Sequence, residues 1–455
     1  MTHQARVVLN RRDFLRRAGT AATAALLSGQ AQGARPKRPP NVILILSDDQ
    51  GAVDLRCYGS MDLHTPHLDA LAARGVRFTQ FYVGAPLCSP SRAALLTGRC
   101  PQRAGLETNA GDSTGLPPEQ ITLAEVLRER GYRAAIFGKW HLGGAPELSP
   151  NAQGFDEFLG HKNGCIDNYS HFFYWSGPNR HDLWRDGNEI YEDGAYFPRM
   201  VTREACRFLE EHWEDPFFLY LPFNIPHYPI QPLLKYRKLY EALEEPRRRY
   251  AALVSTLDEQ VGEVVAKVDA LGLREETIIV FLSDHGHSVE ERAFFGGGNS
   301  GPCRGHKFTL WEGGIRVPCI VSQPGALPEG AVRDQVATSL DWFPTLAGYC
   351  GAAPTHRIDG ADLAGVIADD SSTPHETLHW QLKEQWAARE GAWKLLVNVP
   401  PSMLDGEEAP AEPLFLANIE EDPGERRNYA SEHPEMVEHL RALHDAWVRD
   451  TQANT

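Results

Sequence analysis

Residues 41–50 have the sequence NVILILSDDQ, an unbroken apolar run that ends in two acidic residues. A run of this kind is typical of a strand that is buried on both faces, as in a parallel sheet. Similar runs at 132–137, 217–221 and 277–282 alternate with segments of helical periodicity. The chain is therefore predicted to form an α/β fold, with a mostly parallel sheet covered by helices on both faces.

Each of these four predicted strands leads directly into a short polar cluster. The clusters lie at 47–50, 138–141, 224–227 and 283–286. In open α/β sheets, ligands bind outside the carboxyl ends of the strands. One cluster alone is compatible with a cap, a turn or a solvated loop. Four together predict one shared site, provided that the strands are parallel neighbours.

The four clusters contain groups with two kinds of chemistry. Carboxylates offer the hard oxygen ligands that Ca²⁺ or Mg²⁺ prefers, and an imidazole can add a nitrogen ligand. The candidate metal ligands are Asp48, Asp49, Asp284 and His285. Ammonium and imidazole groups can bind an anion and relay protons. The candidates for that role are Lys139, His141 and His227.

Cys88 opens the segment CSPSRAALLTGR, residues 88–99. Ser89 and Pro90 are predicted as the N-cap and first residue of a helix, so that Cys88 lies just before it. Free N–H groups at a helix N-terminus favour an anion, and Arg92 lies one turn further on. Two interpretations stay open at this point. Cys88 is either a buried cysteine before an ordinary helix or a reactive thiolate, as in a cysteine hydrolase.

These motifs resemble those of the type I, formylglycine-dependent sulfatases, an arylsulfatase-like family of the alkaline phosphatase superfamily. The matching segments are CSPSR at 88–92, LTGR at 96–99, GKWHLG at 138–143, EGGIRVP at 312–318 and the metal-binding segments SDD at 47–49 and SDHG at 283–286. The resemblance extends from about residue 41 to about residue 429, and therefore covers nearly the whole chain after its N-terminal segment.

The resemblance implies an alkaline-phosphatase-like sandwich with a large mixed, mostly parallel sheet flanked by helices. It also implies a smaller C-terminal domain with an antiparallel sheet and a helix. We therefore expect a signal peptide at 1–34, a catalytic domain at 35–350 and a C-terminal domain at 351–455. Strand patterns at 393–397 and 414–416 and a helical pattern at 434–448 fit that last domain.

The resemblance further implies that Cys88 is oxidised to formylglycine and that one Ca²⁺ is bound. The implied ligands are Asp48, Asp49, Asp284, His285 and an oxygen of the modified Cys88. Position 285 is His where many members of the family have Asn. In the implied reaction, hydrated formylglycine attacks sulfur, and the sulfated diol then collapses to release sulfate. The implied roles are charge neutralisation by Arg92, Lys139 and Lys307, proton donation by His227 and proton abstraction by His141. His287, Arg304 and His306 lie near matching blocks, either as substrate contacts or as ordinary loop residues.

The N-terminus indicates export. Two arginines at 11–12 precede a short apolar run at 18–27 and small residues at 31–34, which resembles a twin-arginine signal. Expected partners are the twin-arginine machinery and a formylglycine-generating or anaerobic sulfatase-maturating enzyme, and the expected location is periplasmic or extracellular. No segment is long and apolar enough for a stable membrane span. The balance of 45 Lys and Arg against 61 Asp and Glu argues against nucleic acid as a partner.

The expected substrate is a sulfate ester, most plausibly on a carbohydrate or other small molecule, with aryl sulfates also accepted. Segments 164–171 and 183–187 resemble parts of sulfatases that act on sulfated hexosamines. The aromatic residues Tyr169, Phe172, Tyr174 and Trp175 either stack on a sugar or belong to the core. The alternative function is a phosphonate monoester or phosphodiester hydrolase of the same superfamily. A non-catalytic binder of sulfated glycans is disfavoured, because every expected site position is filled.

Overall fold

A computed structural model describes residues 38–174, 177–401, 403–404, 407–408 and 413–453. The chain from Pro39 onward forms one compact unit. The predicted signal peptide at 1–34 lies outside the described residues, and the boundary predicted between residues 350 and 351 stays a prediction. Among the described helices, none combines the length and apolar character needed to cross a membrane.

Ten strands form the main sheet, and four form a smaller one near the C-terminus. In chain order, all the strands of the described residues are β1 Asn41–Asp48, β2 Val76–Phe78, β3 Phe81–Tyr82, β4 Arg133–Lys139, β5 Glu157–His161, β6 Phe172–Phe173, β7 Arg180–His181, β8 Trp184–Arg185, β9 Asn188–Glu189, β10 Phe217–Pro226, β11 Thr277–Ser283, β12 Cys319–Ser322, β13 Ala331–Arg333, β14 Ala337–Thr338, β15 Thr377–Leu382, β16 Gln385–Glu390, β17 Trp393–Val397, β18 Met403–Leu404, β19 Glu407–Glu408 and β20 Leu414–Asn418.

The order of the main sheet is β13-β2-β12-β11-β1-β10-β4-β5-β8-β9. Its central strands β11, β1, β10, β4 and β5 are mutually parallel, and antiparallel pairs occur only toward its two edges. The four strands predicted to carry the polar clusters are therefore parallel neighbours. The small sheet has the order β15-β16-β17-β20 and is antiparallel throughout. The predicted fold class is confirmed.

Strand β1 is buried along its whole length because both of its faces are apolar. Val42, Leu44 and Leu46 pack into one core cluster, and Ile43 and Ile45 pack into the cluster on the opposite face. Burial of each such side chain contributes about 1.5–3 kcal/mol. The uninterrupted apolar run is thus explained by helices that cover both sides of the sheet.

The described residues contain eleven α-helices, and the last of them includes the helical pattern predicted at 434–448. In chain order they are α1 Pro66–Ala73, α2 Cys88–Thr97, α3 Pro101–Ala104, α4 Leu123–Arg128, α5 Phe197–His212, α6 Leu234–Leu239, α7 Arg247–Ala270, α8 Glu312–Ile315, α9 Trp342–Tyr349, α10 Ala364–Asp369 and α11 Pro434–Gln452. Helices α2, α4 and α9 bury residues against one face of the main sheet, and α1, α5 and α7 against the other. Helix α11 packs Val437 and Leu440 against the small sheet.

Candidate active site

The carboxyl ends of four adjacent parallel strands bring the predicted polar clusters together. Strand β1 ends at Asp48, β4 ends at Lys139, and β11 leads directly into Asp284. His227 follows the end of β10. Because these strands are neighbours in the order β11-β1-β10-β4, their terminal side chains meet at one edge of the sheet.

Acidic and imidazole groups form the centre of the site. One donor atom from each of Asp48, Asp49, Cys88 and His285 lies within 4.8 Å of the others. Asp284 lies beside them, since its Oδ1 accepts a hydrogen bond of 3.2 Å from the Asp49 backbone N–H. Two carboxylates and an imidazole around one point fit a divalent cation, and a carboxylate-rich set favours a hard ion. The predicted metal ligands are therefore close together.

Three buried cations neutralise these carboxylates. Lys139 Nζ donates to Asp48 at 2.6 Å, and Lys307 Nζ donates to Asp49 at 2.9 Å. Arg92 Nη2 donates to Asp284 at 2.8 Å. All three side chains are at most 3% exposed. Their charges are weakly screened at this depth, so they act strongly on any anion that enters.

Cys88 lies inside this ring of charge and is almost completely buried. Its Sγ is 3.9 Å from Asp48 Oδ1 and 3.2 Å from His285 Nε2. Burial alone would raise the pKa of the thiol, but Lys139, Lys307 and His285 outweigh it and lower the pKa to about 5. An ordinary structural cysteine does not have such surroundings, because buried apolar sites raise thiol pKa values.

The predicted N-cap at Ser89 is wrong. Helix α2 begins at Cys88 itself, and Leu87 occupies the cap position without a side-chain cap. Ser89 Oγ instead donates to the His141 carbonyl at 2.6 Å and accepts from the Ala110 N–H. The Ser89 hydroxyl therefore links helix α2 to the loop that carries His141.

Two histidines at the site are held neutral by their surroundings. Burial and the charge of Lys139 bring the pKa of His141 well below its ordinary value. Burial and Lys307 do the same to the pKa of His227. His285 differs, because Asp284 and Cys88 outweigh burial and raise its pKa to about 9. The first two are therefore available for proton transfer, whereas the third is a counter-ion to these groups, and a metal ion that it binds must displace its proton.

A cavity of about 350 Å³ opens onto Cys88. Four of the predicted catalytic residues line this cavity: Cys88, His141, His227 and Lys307. Arg92 and Lys139 do not line it, and instead donate to the carboxylates of Asp284 and Asp48. The polar residues of the wall that the sequence did not indicate are Asn109, Asn163, Arg180, Tyr228, Glu290 and Arg292. They come from loops that are far apart in sequence, and no local pattern marks them.

The aromatic residues considered for substrate stacking have other positions. Tyr169 packs on Tyr196, with ring centroids 5.1 Å apart, and Phe172 stacks on Tyr174 at 6.0 Å. Phe173, the neighbour of Phe172, lines the cavity instead. Trp175 lies outside the described residues.

The three residues left open in the sequence analysis also lie away from the described lining of the cavity. His287 Nδ1 is 3.1 Å from Ser300 Oγ, and His306 Nδ1 is 2.8 Å from the Lys307 carbonyl. The Arg304 guanidinium covers the Trp311 ring at 3.7 Å and donates to the Glu425 carbonyl. Structural contacts therefore account for all three.

A mixed sheet whose parallel strands gather carboxylates, buried cations and a reactive position at one edge defines a hydrolase of the alkaline-phosphatase-like fold. The sulfatase family model matches residues 40–352. Human arylsulfatase A is 35% identical over 92% of this chain and 89% of its own. Dog N-acetylgalactosamine-6-sulfatase is 34% identical over 78% of this chain and 71% of its own. A solved structure of Ps i-CgsB in complex with k-i-k-neocarrahexaose has a TM-score of 0.81 and 29% identity, and covers 92% of this chain and 94% of that one.

The chain belongs to the sulfatase family. Family membership and the similarity to arylsulfatase A identify it as a sulfuric ester hydrolase, which confirms the predicted class of enzyme.

Proposed function

We propose that this enzyme hydrolyses a sulfate ester of a carbohydrate, with Cys88 converted to formylglycine and one Ca²⁺ bound beside it. The observation that carries the proposal is the position of Cys88 Sγ. It lies at the cavity, within a group of carboxylates and buried cations, and 3.2 Å from His285 Nε2. The Sγ atom marks the place of the oxygen atoms of a hydrated formylglycine.

Asp48, Asp49, Asp284 and His285 would hold the ion together with residue 88. When bound, Ca²⁺ supplies positive charge to the sulfate oxygens, and hydrated formylglycine supplies an oxygen nucleophile. The donor set supports this choice, because carboxylate oxygens predominate and all four side chains are buried.

Lys307 is the cation that binds the sulfate directly, since it lines the cavity. Lys139 and Arg92 lie behind the carboxylates and do not line the cavity. Lys139 holds Asp48, and Arg92 holds Asp284 and donates to the Lys139 carbonyl at 3.2 Å. Their charges add to the positive field at the sulfate position without direct contact. Fixed charges of this kind need no reorganisation during the reaction.

His227 is placed to give a proton to the departing alcohol. Its Nδ1 is 2.6 Å from the Tyr228 carbonyl, so Nδ1 carries a hydrogen and Nε2 takes up the transferable proton. Burial and the charge of Lys307 lower the pKa of His227. The protonated form is therefore a strong acid, and the negative charge of a bound sulfate ester would favour its formation.

His141 is placed to accept a proton from residue 88. Its Nδ1 is buried and has no hydrogen-bond partner among the described residues. The ring packs closely on Gly164, where an added Cβ atom would lie 3.0 Å from Cε1, so that only glycine leaves the ring its space. A low pKa keeps the imidazole neutral and able to act as a base.

A carbohydrate is supported by the walls of the cavity. The aromatic groups of Phe173, Tyr228 and Phe308 line it together with the amides of Asn109 and Asn163. Apolar rings with a few oriented polar groups are the usual composition of small-molecule sites. The names of two relatives point the same way, since one is an N-acetylgalactosamine-6-sulfatase and the other was solved with k-i-k-neocarrahexaose.

The test uses purified chain made with a formylglycine-generating enzyme, with export followed in parallel by the removal of residues 1–34. Mass mapping of the peptide around Cys88 reports conversion. The same sample is assayed on an aryl sulfate, a matched aryl phosphate, and sulfated mono- and oligosaccharides. We expect an aldehyde at position 88 and release of sulfate from a saccharide. Full activity with an intact thiol would overturn the formylglycine proposal, and turnover of aryl sulfate alone would overturn the carbohydrate proposal.

A further inference from the structure

Two histidines and an aspartate meet beside the short β6–β7 ribbon, outside the cavity that contains Cys88. One donor atom from each of His171, His181 and Asp193 lies within 4.8 Å of the others. His181 belongs to β7, and His171 immediately precedes β6. The three residues are separated in sequence by 10 and 12 positions, so the ribbon and the loop after β9 bring them together.

The second nitrogen of each imidazole is already engaged. His171 Nε2 is 2.9 Å from the Ala195 carbonyl, and His181 Nδ1 is 3.0 Å from a carboxylate oxygen of Glu189. Both acceptors require the facing nitrogen to carry the hydrogen. The tautomer of each neutral ring is thereby fixed, with the lone pair on the other nitrogen. Metal-bound histidines usually donate their other N–H to a carboxylate or a backbone carbonyl in this way.

These two remaining nitrogens have no hydrogen-bond partner among the described residues. They are Nδ1 of His171 and Nε2 of His181, and both are buried. The side chain of His181 is 4% exposed, and His171 is fully buried. Buried nitrogen acceptors without partners are costly.

We propose that His171, His181 and Asp193 bind a Zn²⁺-type transition-metal ion through two imidazole nitrogens and one carboxylate. Two nitrogen ligands distinguish this set from the oxygen-rich cluster around Asp48 and favour zinc over calcium. Three protein ligands leave at least one coordination position for water. Ring packing alone does not explain the arrangement, because it gives no reason for two buried nitrogens without hydrogen-bond partners to occur beside one carboxylate.

The location suggests what the ion does. In the β6–β7 ribbon, Phe172 pairs with His181, and the next pair is Phe173 with Arg180. Successive side chains of a strand point to opposite faces. One face therefore carries His181, and the other presents Phe173 and Arg180 to the active-site cavity. A bound ion would fix the ribbon that forms this wall of the cavity.

The test measures metal binding by the full chain with Cys88→Ala, in excess Ca²⁺. The substitution removes the thiol from the catalytic cluster, and the excess Ca²⁺ is added to occupy the oxygen ligands of that cluster. Co²⁺ is titrated while its visible spectrum is recorded, and Zn²⁺ is measured by equilibrium dialysis. Asp193→Ala and His181→Ala are introduced into this background, with Asp369→Ala as the control because Asp369 is an exposed aspartate at the end of α10. Circular dichroism confirms that each variant is folded.

We expect one equivalent of Co²⁺ per chain, displaced by Zn²⁺, in the parent and the control. Loss of a metal ligand should weaken binding at least tenfold in Asp193→Ala and abolish it in His181→Ala. Asp193 is exposed, so its variant keeps the test decisive even if removal of the buried His181 ring disturbs folding. No binding in the folded parent, or equal binding in the parent and folded Asp193→Ala, would overturn the proposal.

Discussion

Two groups of buried charged side chains in this molecule differ in their surroundings. The catalytic cluster consists of Asp48, Asp49 and Asp284 with Arg92, Lys139 and Lys307, and it borders the cavity at Cys88. The sealed cluster consists of Glu312, Lys394 and Glu425, all fully buried. It joins helix α8 to strand β17 of the small sheet.

The sealed cluster is completely satisfied by the protein. Lys394 Nζ donates to Glu312 at 2.9 Å and to Glu425 at 3.0 Å. The second carboxylate oxygens accept from the Tyr82 hydroxyl and from the Glu312 backbone N–H, each at 2.6 Å. The longest of these contacts joins residues 230 positions apart, Tyr82 and Glu312. Its charges hold the small sheet on the rest of the fold.

The catalytic cluster is incompletely satisfied. Arg92 Nε and His141 Nδ1 are buried without a hydrogen-bond partner among the described residues. Lys307 faces a cavity rather than a closed interior. The comparison teaches that similar buried charges serve different ends. Buried charges whose partners all belong to the protein stabilise the structure. Buried charges that border a cavity are available to bind a ligand.

The largest expected effect is on the catalytic side. Cys88→Ala should lower sulfatase activity at least about a thousandfold, because the nucleophile is lost. The thermal midpoint should change little, since the ion pairs that Arg92, Lys139 and Lys307 make with carboxylates all remain. Cys206→Ala, in helix α5 and away from the cavity, is the control. Substantial activity in Cys88→Ala would contradict the catalytic role that is assigned to the cluster around Cys88.

The converse is expected in the sealed cluster. Lys394→Met should lower the free energy of unfolding by about 3–5 kcal/mol, because it removes the ammonium group from which two buried carboxylates accept hydrogen bonds. Activity per folded molecule should be unchanged. Urea unfolding and active-site titration measure the two quantities. Lys267→Met removes an exposed ion pair with Glu210 and should have no measurable effect.

A second substitution sharpens this prediction. The double variant Lys394→Met/Glu425→Gln should recover part of the lost stability, because one of the orphaned charges is neutralised. A double variant that is less stable by the full sum of the two single effects would contradict the pairing described for Lys394.

A smaller effect is expected at His227. His227→Asn should lower kcat/KM about a hundredfold for alkyl or sugar sulfates, whose leaving group needs a proton. For a nitrophenyl sulfate, with a good leaving group, the loss should be less than about tenfold. Equal losses on both substrates would show that His227 binds the sulfate rather than protonates the alcohol.

The smallest effect concerns pH and the docking of helix α11. His444 stacks on Trp386 at 4.1 Å, and burial lowers the pKa of both His444 and His379 to about 4. Their ordinary pKa is 6.5, so the unfolded chain binds more protons between these values. Their contribution to stability is therefore complete above 6.5 and is lost as the pH falls toward 4. His444→Gln should reduce the drop in thermal midpoint between about pH 7.5 and about pH 5. An equal drop in both proteins would contradict this.

The sequence predicted what is local. The apolar run of β1 marked a doubly covered strand, and the polar residues after four such runs marked the site. The residues that line the wall of the active-site cavity were not predictable from the sequence. Arg180 reaches the cavity from strand β7 of the separate β6–β7 ribbon. Ser89 was predicted as a cap because its actual partners, the His141 carbonyl and the Ala110 N–H, come from distant parts of the chain. Which distant segments become neighbours depends on the topology as a whole.

The sealed cluster was missed for the same reason. Glu312 lies in a block that matched the family, yet nothing near it in sequence indicates Lys394 or Glu425 as partners. The small sheet supplies both contacts only after it has docked. Two of its strands, β17 and β20, were predicted from their own patterns, but β15, β16 and the attachment to the main sheet were not.

The burial of Cys88 has a consequence for the order of events in the life of the protein. Only 2% of this residue is accessible in the folded chain, and it opens a helix packed against the main sheet. An enzyme that converts Cys88 must reach its Sγ atom, which the fold almost completely encloses. Under the proposed function, conversion must therefore precede closure of the fold, and so must also precede any export of the chain in folded form. Folded, unconverted protein should stay inactive when a maturating enzyme is added later, whereas the same protein should gain activity if it is unfolded, treated and refolded.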